Sequence, residues 1–123
     1  MKLIVGNWKM YPKTLIEAKE IFAGEKKVAR TMNKAKAVIC PPHLFVATLA
    51  AGALGTKALA IGAQNTFYED EGARTGETSP VQIASVGATY VILGHSERRA
   101  LGESNQLVAQ KAVAANKAKL TVI

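Results

Sequence analysis

The chain has 123 residues, 49 % of them apolar, with 16 basic against 9 acidic side chains and a formal net charge of +7. This length and apolar content fit one domain with its own core and exclude a disordered tail, and no apolar run approaches the roughly 18–20 residues of a membrane span. Cys40 is the sole cysteine, which excludes an internal disulfide and suits a reducing, cytoplasmic setting.

Leu3-Ile4-Val5, closed by Gly6, predicts a first strand, and so short an apolar start predicts no secretory leader. Thr14 can cap a helix whose apolar residues Leu15, Ala18, Phe22, Ala29 and Met32 keep roughly helical spacing, with Gly24 weakening it midway. Ala37–Cys40 is a second strand, stopped by Pro41-Pro42, and Leu44–Ala51 a short buried helix ending at Gly52. Leu59–Ala63 is a third strand. The segment Tyr68–Ser79 after it is polar and glycine-bearing; loops of about a dozen residues without structure of their own are uncommon and usually functional. A lid, a binding loop or a subunit contact all fit. Pro80 opens a short helical segment through Val86. Tyr90–Leu93 is a fourth strand, cut off at Gly94, and His95, Ser96, Glu97, Arg98 and Arg99 then arrive together. With Ser96 as N-cap and Glu97 in the first turn, His95 sits where a buried strand hands over to a helix. Glu103–Lys117 predicts the last helix, with Leu107, Val108, Ala112 and Ala115 on one face, and Leu120–Ile123 begins a fifth strand.

Alternation of strand and helix predicts a parallel sheet, and unbroken apolar strands predict burial on both faces. Strands starting near residues 3, 37, 59, 90 and 120 spend about 30 residues per unit, the rate of a (β/α)8 barrel. At that rate residues 1–123 supply the first four βα units and the start of strand 5: the N-terminal half of a single barrel domain, its second half absent. The apolar run closing at Ile123 would leave a strand unpaired on one side, so a piece of a longer chain, or a deliberate self-assembling half, is expected. The competing fold is a doubly wound domain that binds an anion at the helix near Ser96; strand order separates the two.

In a parallel barrel Asn7 and Lys9, then His43, then Gln64 and Asn65, then His95, Ser96 and Glu97 all follow strands and share the C-terminal rim, where sites form. A cation, amides and an imidazole on one rim point to an anionic or carbonyl ligand. Each residue alone has a plainer reading: Lys9 a surface lysine, Asn7 a turn residue, Trp8 core, His43 a helix entry, Glu97 a helix-dipole partner. Cys40 and His43 do not amount to a zinc site, and no metal is expected. The basic residues are scattered along the chain without an RNA-binding aromatic signature, so solvated faces are the simpler account and no nucleic-acid partner is expected.

Gly6-Asn7-Trp8-Lys9-Met10, Cys40-Pro41-Pro42, Gly62-Ala63-Gln64-Asn65, Thr75-Gly76-Glu77 and Tyr90–Arg99 resemble, in order and spacing, the triosephosphate isomerase family, across the whole chain but over the N-terminal half of the family's length. The resemblance implies a TIM barrel. It also implies cofactor-free, metal-free interconversion of dihydroxyacetone phosphate and glyceraldehyde 3-phosphate through an enediol(ate), in glycolysis and gluconeogenesis. By motif it implies a catalytic lysine at Lys9, a substrate contact at Asn7, a carbonyl-polarising electrophile at His95 and, at Glu97, a partner for Lys9. The family is itself the standard example of an imidazole kept neutral by a helix N-terminus. The resemblance further implies a homodimer in which the Thr75 loop reaches a neighbouring subunit, with Gln64 and Asn65 beneath that contact. Tyr11, where the family usually has Asn, and Arg74, where an aromatic is common, depart from the pattern. The family's base, a glutamate after the sixth strand, falls outside these residues. The isolated chain is therefore expected to be inactive.

Overall fold

A computed structural model describes residues 2–123. Five strands, β1 (Lys2–Asn7), β2 (Ala35–Cys40), β3 (Leu59–Ala63), β4 (Tyr90–Val91) and β5 (Thr121–Val122), form one sheet in sequential order. Every neighbouring pair is parallel. Helices α1 (Leu15–Ala29), α2 (His43–Ala53), α3 (Pro80–Ser85), α4 (Ser96–Ala100) and α5 (Asn105–Lys117) fill the connections. Sequential order excludes the doubly wound alternative, which reverses strand order at a switch point. The sheet is a curled half-barrel: the first four βα units of a (β/α)8 barrel and the start of strand 5.

Alternation along each strand sorts side chains to two faces. Val38, Cys40, Ala60 and Ile92 cluster on the concave face, with Val5 and Tyr90 against them. Ile39, Leu59, Ile61 and Val91 lie on the other, packed with Ala18 and Phe22 of α1 and Phe45 and Leu49 of α2. β2 and β3 are buried on both faces, as their unbroken apolar runs predict. β1 is not: Leu3 and Ile4, on opposite faces, are 46 % and 53 % exposed, because β1 has a neighbour on one side alone.

Several boundaries differ from the sequence reading for local reasons. β4 and β5 are two residues long, although Ile92 N–H still donates to Ala63 O (2.8 Å) and Leu93 N–H to Ile123 O (3.0 Å). α2 runs through Gly52 to Ala53. α5 begins at Asn105, capped by Ser104; its inward face carries the expected Leu107, Val108 and Ala112, half-buried, and Ala115, buried, joined by Lys111 and Ala114. α1 carries the expected Thr14 cap, closed into a capping box by Glu17.

Candidate active site

The C-terminal ends of the strands open into a cleft of about 450 Å³ whose lining includes Asn7, Lys9, Gln64, Asn65, His95 and Glu97. The fold thus brings the predicted rim residues other than Ser96 to one place. His43, also on the rim, opens α2 and bonds the Asn65 carbonyl through Nε2 at 3.0 Å.

His95 is held differently from the sequence expectation. It, and not Ser96, is the N-cap of α4: its Nδ1 accepts from the Glu97 backbone N–H at 3.1 Å. A backbone N–H can only donate, so Nδ1 carries no proton and a neutral ring bears its proton on Nε2. The 3.5 Å approach of Nδ1 to Glu97 Oε2 is too long to reverse that assignment. The preceding residue is Gly94 at φ +62, which admits glycine and where a Cβ would meet Arg99 at 2.9 Å. Arg99 braces this turn, donating from Nε to Gly94 O (2.8 Å) and from Nη1 to Asn105 Oδ1 (2.6 Å) on α5.

Lys9 Nζ lies 3.0 Å from His95 Nε2 and 3.1 Å from Glu97 Oε1. An ammonium and an Nε2–H are both donors. Both line the cleft, a donor set that suits an oxygen with negative charge. Lys9 itself sits at φ +59, the left-handed region that costs a non-glycine residue of order 1–2 kcal/mol. Two side chains hold it there. Lys9 N–H donates to Asn7 Oδ1 at 3.0 Å, and Gln64 Nε2 donates to Lys9 O at 2.7 Å and to Cys40 O at 2.8 Å.

Beneath Asn65 lies a pair that the sequence reading missed. Lys111 and Glu103 form an ion pair, their side chains 3 % and 2 % exposed, and Lys111 Nζ also donates to Asn65 Oδ1 at 3.0 Å. Arg98 Nε stands 3.9 Å from the same carboxylate. A lysine inside the buried face of α5 was the available signal. Thr75 lies in the exposed long loop, where Arg74 pairs with Glu69 at 2.8 Å. On the far side, Trp8 Nε1 donates to Glu25 at 3.0 Å, and burial holds the Glu25 carboxyl above its usual range despite that bond. Burial likewise pushes the Cys40 thiol up to about 12.

Fold and rim together define a half-barrel of the (β/α)8 class with a donor-rich cleft at its C-terminal face. The chain belongs to the triosephosphate isomerase family, whose sequence profile it matches over residues 2–123. It is 43 % identical over 122 residues to the triosephosphate isomerase of Roseiflexus sp. (strain RS-1), covering 98 % of this chain and 47 % of that protein. It is 45 % identical over 122 residues to that of Streptococcus mutans, covering 98 % and 48 %. The crystal structure of the Bartonella henselae enzyme superposes with a TM-score of 0.79 at 35 % identity, over 98 % of this chain and 49 % of that one. The chain therefore spans about half the length of the curated relatives it matches.

Proposed function

We propose that these residues supply the electrophilic half of an isomerase site that interconverts dihydroxyacetone phosphate and D-glyceraldehyde 3-phosphate through an enediol(ate). The observation that carries the reading is that Lys9 Nζ and His95 Nε2 stand 3.0 Å apart in the cleft lining, with Glu97 holding the lysine. His95 polarises the substrate carbonyl, Lys9 offsets the charge of phosphate and developing oxyanion, and Asn7 shapes the lysine's turn at the reacting oxygens. Neither step needs a cofactor. The carboxylates lining the cleft are Glu97, occupied by Lys9, and Glu77 in the long loop. The general base is accordingly supplied from outside these 123 residues, and the chain alone does not turn over substrate. The Tyr68–Ser79 loop is the homodimer contact in this reading, with Thr75 reaching the second subunit over Gln64 and Asn65, in the cytoplasm.

The test is a chimera that joins this chain to the second half of the Streptococcus mutans relative. It should isomerise triose phosphate, and His95→Gln or Lys9→Met within this chain should abolish that activity. A folded chimera that stays inactive would overturn the reading. The alternative, a non-catalytic self-assembling half-barrel, is favoured by the exposed apolar edge at Leu3 and Ile4 and would then stand.

A further inference from the structure

In a parallel barrel every strand runs toward one pole and every helix returns toward the other. A residue's pole therefore follows from its place in the chain. Strand starts and helix ends share the pole opposite the cleft, and the cations gather there. Lys26 and Lys27 form the last turn of α1 and Arg30 its C-cap. Lys34 and Lys36 flank the start of β2, Lys2 opens β1, and Lys57 precedes β3. Lys117 ends α5 and Lys119 precedes β5. Among the described residues one of these nine meets a carboxylate, Lys117 with Asp70 at 3.4 Å. Asp70, on Lys117, and Glu25, one residue before Lys26, accompany them; the rest of the molecule carries the other seven cations and the other seven carboxylates. The net charge of +7 thus belongs to the face away from the candidate active site, and an anionic substrate does not account for it.

Lys36 and Lys57 also line one shallow cleft of about 310 Å³ with Thr56 and Thr89 at this pole. No aromatic ring lines this cleft; Tyr90, packed against the concave cluster, lies half-buried with Lys36 Nζ 5.5 Å from its ring centroid. Lysines without stacking platforms contact phosphates as point charges.

We propose that this N-terminal face binds a nucleic-acid phosphate backbone without sequence preference, one phosphate seated between Lys36 and Lys57. The cations looked scattered in sequence, and the fold undoes that scatter. The inference stands apart from the isomerase reading.

Fluorescence anisotropy of the 123-residue chain with a duplex of about 20 base pairs tests it. Affinity should fall about 100-fold between roughly 50 and 200 mM salt. Lys36→Glu/Lys57→Glu should weaken binding at least about tenfold, and Lys36→Gln/Lys57→Gln less but in the same direction. Lys13→Glu/Lys19→Glu, with the same net charge as the first pair but on the other side, should cost under about threefold. Equal losses in both glutamate pairs would show that net charge acts and not this face. Tighter capture by phosphatidylserine vesicles or by polyglutamate would assign the face to another partner, and no binding at the low salt would end the proposal.

Discussion

At the scale of the residue, the candidate site rests on Lys9 being held in a conformation that its backbone resists. Gln64 does most of that holding, through two carbonyls far from it in sequence. Gln64→Leu should lower stability by about 1–3 kcal/mol, read as a drop in the urea midpoint; an unchanged midpoint would show that the clamp is idle. Glu25 gives a pH-dependent prediction. Burial raises its folded-state pKa above the unfolded value, so the folded protein keeps the proton longer as pH rises. Its contribution to stability is therefore greatest below the unfolded pKa and declines as pH rises through the folded pKa. Glu25→Gln keeps an acceptor for Trp8 and removes the charge. Its stability relative to wild type should rise from acid to neutral pH, measured by denaturation at a series of pH values; a flat difference would contradict this. His95 was legible in sequence because a buried strand stops abruptly beside it. Its capping role was not, because Ser96 is the commoner cap and an imidazole accepting at Nδ1 leaves no sequence signature. The Gln64 clamp was equally hidden, since its acceptors are backbone carbonyls and any residue supplies those.

At the scale of the element, two glycines of opposite kind show what each segment requires. Gly24 lies mid-helix in α1 with open space where a Cβ would go. Gly24→Ala should stabilise by about 0.5–1 kcal/mol through helix propensity alone. Gly62 lies in β3, where a Cβ would come within 2.7 Å of Cys40 Sγ and 3.2 Å of the Tyr90 carbonyl. Gly62→Ala should cost about 1–3 kcal/mol by overpacking. Thermal melts of both variants check the pair; shifts of the same sign would contradict it. Strand and helix order were legible because apolar runs and Pro or Gly stops mark them. Lys111 was missed on the inward face of α5 because it is apolar in position but not in type. Its burial depends on Glu103 and Asn65, which tertiary structure alone brings to it.

At the scale of the whole molecule, parallel sequential strands put the predicted site loops on one rim and nine of the 16 cations at the opposite pole. The barrel class was legible from the spacing of the strand starts. The charge polarity was missed, because the basic residues are scattered along the sequence and share a pole only once each is placed at a strand start or a helix end. The open sides of β1 and β5 should drive self-association, visible as concentration-dependent sedimentation; a clean monomer across the concentration range would contradict that. In the proposed function these residues carry the polarising part of an isomerase site without its base. The most direct measurement is a coupled isomerase assay on the 123-residue chain, with His95→Gln as the contamination control. No turnover above that control is expected. Turnover that vanishes with His95→Gln would contradict it, and would mean that the chain builds a complete site with a base from within its own residues.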